Sequence, residues 1–226
     1  MNKIEFLKNY NRNISILASE DISNKEIPKS WYEIFTKKEI SGRIKVIIEL
    51  WKKYCGAELS STIDYLEKNL VDVELIEING DISILYSIKR ESGEVGYYQG
   101  GNPEAKFNNS ELEKVWDVLP ESIKIFYKKL HNGFYYYASQ SMGLDRIEEV
   151  TFFDDYEWGI IEDLEDPIKI NLKTTYGFFS NGAGGYVAID CGNNNSATIW
   201  FTNDEPEYNV EFWDVVDEWI VIGFQD

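Results

Sequence analysis

Val71-Asp72-Val73-Glu74-Leu75-Ile76-Glu77-Ile78-Asn79-Gly80-Asp81-Ile82-Ser83-Ile84-Leu85-Tyr86-Ser87-Ile88 is the stretch on which the fold turns. Apolar residues at every second position line one face of a strand. Here Val71, Val73, Leu75, Ile76 and Ile78 lead in, and Ile82, Ile84, Tyr86 and Ile88 lead out. Asn79-Gly80 between them supplies the backbone freedom a tight hairpin turn needs. Upstream the period is helical. Ile40, Ile44, Ile47, Ile48, Trp51 and Tyr54/Cys55 recur at three- and four-residue spacing and stop near Gly56, which predicts one amphipathic helix. A second, shorter helix is expected from Ser61 to Leu70, capped by Ser60 or Ser61. Downstream, Val95-Gly96-Tyr97-Tyr98 adds a third strand, and Gln99-Gly100-Gly101-Asn102-Pro103 reads as a linker.

A second unit begins near Ser110. Leu119-Pro120 opens a helix with a proline where a missing N–H costs nothing, and Ile123, Phe126, Tyr127 and Leu130 form its buried stripe. His131-Asn132-Gly133 ends it, with Asn132 or Gly133 in the left-handed cap conformation. Strands are expected at Phe134–Ala138, Phe178-Phe179, Tyr186–Asp190 and Ala197–Phe201, divided by Gly- and Asn-rich turns. Glu211–Phe224 mixes a helical stripe with the strand-like run Trp219-Ile220-Val221-Ile222, and both readings stay open. The expectation is an α+β fold in two regions. Residues 1–103 form a helical region with a β-meander, and residues 110–226 form a second domain.

The chain has 226 residues, 22 Lys+Arg, 40 Asp+Glu, one His and two Cys, with a formal net charge of −18. At about 150 residues per domain, one large or two small domains fit. Such a charge repels nucleic acids and anionic membranes, and argues against either as a partner. Residues 1–100 carry 14 Lys+Arg against 16 Asp+Glu, and residues 151–226 carry 2 against 16. The last third therefore holds 14 of the 18 excess negative charges, with Lys169 and Lys173 as its only cations. Cys55 and Cys191 form no CxxC motif, no run approaches 18 apolar residues, and Met1-Asn2-Lys3-Ile4-Glu5-Phe6 lacks a signal region. A soluble, cytoplasmic protein with reduced thiols is expected.

Few residues invite chemistry. A lone His131 rules out a two-histidine metal site. At a helix end its positive charge would be welcome, so a structural or surface role is expected. No nucleophile-elbow pattern is present, and Cys191 at a strand end fits packing. Asn181-Gly182-Ala183-Gly184-Gly185-Tyr186 lacks the Lys-Ser/Thr end of a phosphate loop and is followed by a strand, so it is read as a turn. The acidic clusters Asp154-Asp155-Tyr156-Glu157-Trp158, Glu162-Asp163-Leu164-Glu165-Asp166 and Asp204-Glu205-Pro206-Glu207 do not have calcium-loop spacing. A glycosidase-type carboxylate pair ranks far behind. No metal, cofactor or catalytic residue is expected. Acid interleaved with Tyr156, Trp158, Trp200, Phe201, Tyr208 and Trp213 reads as a protein-binding face. Aromatics supply anchors there, and clustered charge speeds encounter with a basic partner.

The second unit resembles the SUKH superfamily, the Smi/Knr-type proteins, over about residues 110–226. Leu119-Pro120-Glu121-Ser122-Ile123, Phe126-Tyr127, Leu130 and Asn132-Gly133 resemble that family's opening helix and cap. Phe178 through Asp190 and Thr198-Ile199-Trp200-Phe201 resemble its aromatic, glycine-turn and strand segment. The resemblance implies helices packed on a mixed or mainly antiparallel sheet. It also implies the role many bacterial members have, immunity proteins that neutralise a cognate toxin, often a nuclease. Only Asn132, Gly133, Gly182, Gly184 and Gly185 carry over, as turns that set the fold. The expected partner is thus a basic toxin domain, and the alternative is a regulatory scaffold or adaptor.

Overall fold

Helices occupy much of the N-terminal region in the computed structural model, which describes residues 2–18 and 20–225. They are α1 (Lys3–Tyr10), α2 (Lys29–Phe35), α3 (Ile40–Cys55) and α4 (Ser60–Asn69), with one short strand, β1 (Ile14–Ile16), after the first. The alternating stretch then forms β2 (Leu70–Ile78) and β3 (Asp81–Lys89), joined by Asn79 at φ 53° and Gly80 at φ 96°. β4 (Val95–Gly101) completes the meander, followed by α5 (Ser110–Val115) and α6 (Glu121–Ile125), the latter running into a π-helical turn at Phe126–Leu130. The rest is β5 (Phe134–Tyr136), β6 (Ser141–Leu144), β7 (Thr151–Phe152), β8 (Thr175–Ser180), β9 (Gly185–Asp190), β10 (Ser196–Phe201), β11 (Glu207–Val210) and α7 (Phe212–Gln225).

The strands make one eleven-stranded sheet, ordered β1-β2-β3-β4-β5-β6-β8-β9-β10-β11, with β7 beside β8. Every pairing is antiparallel. The fold is α+β; short turns, which can join only antiparallel neighbours, link β2-β3-β4, β5-β6 and β8-β9-β10-β11, while long helical or irregular stretches link β1 to β2, β4 to β5 and β7 to β8. Alternation sorts side chains between two faces. Ile84, Tyr86, Val187 and Ile189 point into the main core beneath α2, α3, α4, α6 and α7, while Leu85 and Ala188 point the other way. That second face is covered at one end by α1, through Leu7, and at the other by the segment that carries Phe153, Trp158 and Ile170.

The sequence places a boundary between residues 103 and 110, but backbone pairing crosses it. β4 pairs with β5 through Tyr98, Gln99 and Gly100, and Trp51 of α3 packs 4.9 Å from Phe134. The two regions share one core. Gln99-Gly100-Gly101 is therefore strand, not linker. A Cβ on Gly100 would lie 2.5 Å from the His131 ring, and one on Gly101 would lie 2.1 Å from the Asn132 carbonyl oxygen. The glycines are there so that this segment can approach closely. The helix is capped by His131 in extended conformation rather than by a left-handed Asn132 or Gly133, and the positive φ of Gly133, +79°, comes two residues later. Pro120 sits one place earlier than expected, at the cap of α6.

The final segment is helix, because Phe212, Val216, Ile220 and Phe224 fall on one buried face. It corrects a second expectation, the serine cap of α4. No side chain of α4's own segment caps it. Instead Asp217 reaches across from α7, and its carboxylate accepts from the Ser61 N–H at 2.9 Å and the Thr62 N–H at 2.7 Å. Two N–H groups at a helix start are thus satisfied from 156 and 155 residues away, which ties the C-terminal helix to the N-terminal region. Asp217→Ala is expected to lower stability by about 1–3 kcal/mol, since it strands both donors. Urea unfolding checks this, and an unchanged midpoint would rule the cap out as a contributor.

Candidate functional site

Phe153 begins a segment of short 3₁₀ turns (Phe153–Asp155, Gly159–Glu162 and Leu172–Thr174) that lies over the second face of β8, β9 and β10. Its base is aromatic. Trp158 stacks on Trp200 at 4.4 Å and 18° between planes, and Phe153 packs against both. The indole N–H of Trp158 donates to the Phe153 carbonyl at 2.9 Å, and that of Trp200 to the Asp204 carbonyl at 3.1 Å. The Lys169 N–H donates to the Tyr208 hydroxyl, and the Lys169 ammonium sits 5.2 Å from the Tyr208 ring centroid. One aromatic cluster therefore supports all three acidic stretches.

Asp154, Asp155, Glu157, Glu162, Asp163, Glu165, Asp166, Asp204, Glu205 and Glu207 are all exposed. Among the described residues no ion pair involves any residue beyond Glu149. Their charge is left to solvent and to whatever approaches. The aromatic expectation needs correction. Trp158 is 7% exposed and Trp200 is 0% exposed, so both are pillars under the acidic surface rather than contact residues. Tyr156, at 56%, is the large side chain presented outward there, whereas Phe201 and Trp213 belong to the helix-covered face, Phe201 lying 5.9 Å from Trp219 of α7 and the Trp213 indole donating to the Ser122 hydroxyl at 2.8 Å. No group of three or more His, Cys, Asp or Glu converges as metal ligands among the described residues.

A cavity of about 230 Å³ adjoins this surface, lined among others by Tyr135, Asp145, Arg146, Glu149, Tyr156 and Tyr186. Tyr186 also belongs to the aromatic cluster, 5.9 Å from Trp158. Asp145 is buried, accepting from the Ser180 hydroxyl at 2.9 Å. Desolvation pushes its carboxyl up to about 8; nearby Glu149 adds to this, and the Ser180 hydrogen bond opposes it. Sequence reading passed over Asp145, one acid among 40 Asp+Glu. Only its position after β6, against β8, sets it apart. Between its ordinary value of 3.8 and about 8, the folded chain holds a proton the unfolded chain has released. Stability therefore falls as pH rises through that window. Asp145→Asn, which keeps an acceptor for Ser180, is expected to remove that slope and to melt several degrees higher than the parent at pH 9 while matching it at pH 4. Melting curves across this range test it, and parallel profiles would contradict it.

His131 is neutral rather than cationic. It is fully buried, and desolvation lowers its imidazole to about 3, against a small opposing effect from the Gly101 carbonyl. Its Nε2 lies 2.6 Å from the Tyr86 hydroxyl, which also accepts from the Trp51 indole N–H at 3.0 Å. This chain of hydrogen bonds joins α3, β3 and the end of the π-helical turn inside the core. Asn132 is equally structural: its amide oxygen accepts from the Ile147 N–H at 2.8 Å. In the glycine turn, Asn181 accepts from the Ala183 and Gly185 N–H groups, each at 2.8 Å, leaving no cradle for phosphate. Gly182 and Gly184 have φ of +76° and +83°, and a Cβ on Gly185 would meet Asn181 at 2.5 Å. Burial pushes the free thiols up, Cys55 to about 12 and Cys191 to about 11, so neither is primed as a nucleophile.

Comparison with protein-family models, with curated proteins and with solved structures finds no match. No helix among the described residues is long and apolar enough to cross a membrane.

Proposed function

We propose that this chain is a non-catalytic, cytoplasmic immunity protein that binds and blocks a basic toxin domain of the nuclease kind. The observation that carries the reading is the acidic surface of the last third. Three carboxylate clusters stand on one aromatic base, and no described ion pair draws on them. A nuclease holds phosphates in a basic cleft, so carboxylates presented on a rigid platform are matched to the place where phosphates would sit. Long-range attraction raises the association rate, and Tyr156 is the side chain placed to supply apolar contact after encounter. The α+β arrangement of helices on an antiparallel sheet is also what the SUKH resemblance of residues 110–226 implies.

Inhibition on this reading is steric and electrostatic, with no bond made or broken. The test is co-expression with a basic nuclease-toxin C-terminal domain, sought first among the genes that neighbour this one. Survival of cells that the toxin alone kills, together with recovery of a complex, is the expected result. Toxicity intact with no complex would overturn the reading and favour an adaptor role.

A further inference from the structure

We propose that the cavity beside the acidic surface, lined by Tyr135, Asp145, Arg146, Glu149, Tyr156 and Tyr186, is a socket for one basic side chain, arginine or lysine, of the docking partner. This deepens the reading of the acidic surface as a docking face and rests on it. Three observations carry it. The first is size: about 230 Å³ is below the roughly 300–1,000 Å³ of small-molecule sites and suits one long side chain. The second is lining. Arg146 and Glu149 pair with each other, which leaves Asp145 as the carboxyl with no cation partner, and three phenol rings offer their faces to a guanidinium or ammonium. The third is place. Tyr156 belongs to the first acidic cluster and Tyr186 to the aromatic base, so the socket opens within the docking face itself.

Asp145 is the key group. Ser180 from β8, Tyr186 from β9 and Tyr135 from β5 surround it, the Tyr127 hydroxyl donates to its backbone carbonyl at 2.7 Å, and Arg146, Glu148 and Glu149 follow it in the chain. Arg146, the cation that lines the cavity, is engaged with Glu149 at 3.6 Å, and no ion pair among the described residues reaches Asp145. Burial without a cation keeps Asp145 protonated near neutrality. An arriving cation supplies the missing charge. Asp145 then gives its proton to solvent, and its carboxylate pairs with the unchanged cation. Binding is therefore linked to release of one proton and tightens as pH rises.

The probe is N-acetyl-arginine amide, titrated into the full chain by NMR and calorimetry, with the uncharged N-acetyl-citrulline amide as control. Saturable binding is expected for the arginine compound only, at least about tenfold tighter at pH 9 than at pH 6.5, with a buffer-dependent heat that reports the proton. Asp145→Asn should abolish the pH dependence, and Tyr156→Ala, at an exposed position, should weaken binding without loss of fold. Failure to saturate, equal binding of the citrulline compound, or an unchanged pH dependence in Asp145→Asn would overturn the socket. Arginine binding by a chain that fails to protect cells would instead overturn the immunity reading and leave the socket standing. Protection without arginine binding would do the reverse.

Discussion

Converting Asp154, Asp155, Glu157, Glu162, Asp163, Glu165 and Asp166 to their amides is expected to slow association with the basic partner by about 10–10³-fold at low salt. The folded chain should lose nothing by the change. All seven side chains are exposed and none takes part in a described ion pair, so no native attraction is removed. Mutual repulsion among them is relieved instead, and the melting temperature should hold or rise. The dissociation rate should move far less than the association rate, because rim charges act on encounter and buried anchors on residence. Stopped-flow mixing at two salt concentrations separates the rates. An unchanged association rate in the amide variant would show that the charge serves no docking role.

Trp200→Ala is expected to cost about 3–5 kcal/mol of stability, the range for deleting a large buried aromatic. Trp200 is fully buried, stacks on Trp158 at 4.4 Å, and its N–H holds the Asp204 carbonyl at 3.1 Å. Removing it takes away the surface against which the 153–170 segment is packed. The segment has short 3₁₀ turns and few backbone hydrogen bonds of its own. Hydrogen exchange should therefore rise first there, ahead of global unfolding. Partner binding should fall together with local order, even though Trp200 touches nothing outside the chain. Loss of stability with unchanged exchange over 153–170 would contradict the view of Trp200 as the pillar of the acidic platform.

Much of the fold was legible because its signals are local. Asn79-Gly80 between alternating runs specified a hairpin, and the stripe from Ile40 to Cys55 specified α3. What was missed depends on distance. Gly100 and Gly101 look like a linker until His131 and Asn132, about thirty residues on, are seen packed against them. The cap of α4 comes from Asp217, which no local pattern of serines could reveal. The closing segment carries helical and strand periods together, and the need to bury Phe212, Val216, Ile220 and Phe224 on the sheet decides for helix. Short strands such as β6, β7 and β11 have only two to four residues each and too little pattern to detect. At the site, the acidic clusters were legible from charge counting. The split between exposed Tyr156 and buried Trp158 was not, because both are aromatic neighbours of acid in the chain. Asp145 has no sequence signal at all, since its chemistry comes from burial beside β8.

On the proposed function, the last third of the chain is an electrostatic docking face for a basic protein. Its test is the affinity of the purified chain for the basic toxin domain proposed as its partner, measured from about 50 to 500 mM salt, where exposed charges become screened. Tight binding is expected that weakens steadily with salt, at least tenfold across the range, and weakens little in the variant with all seven amides, whose affinity is already reduced. Tight binding indifferent to salt, equal in both proteins, would contradict it.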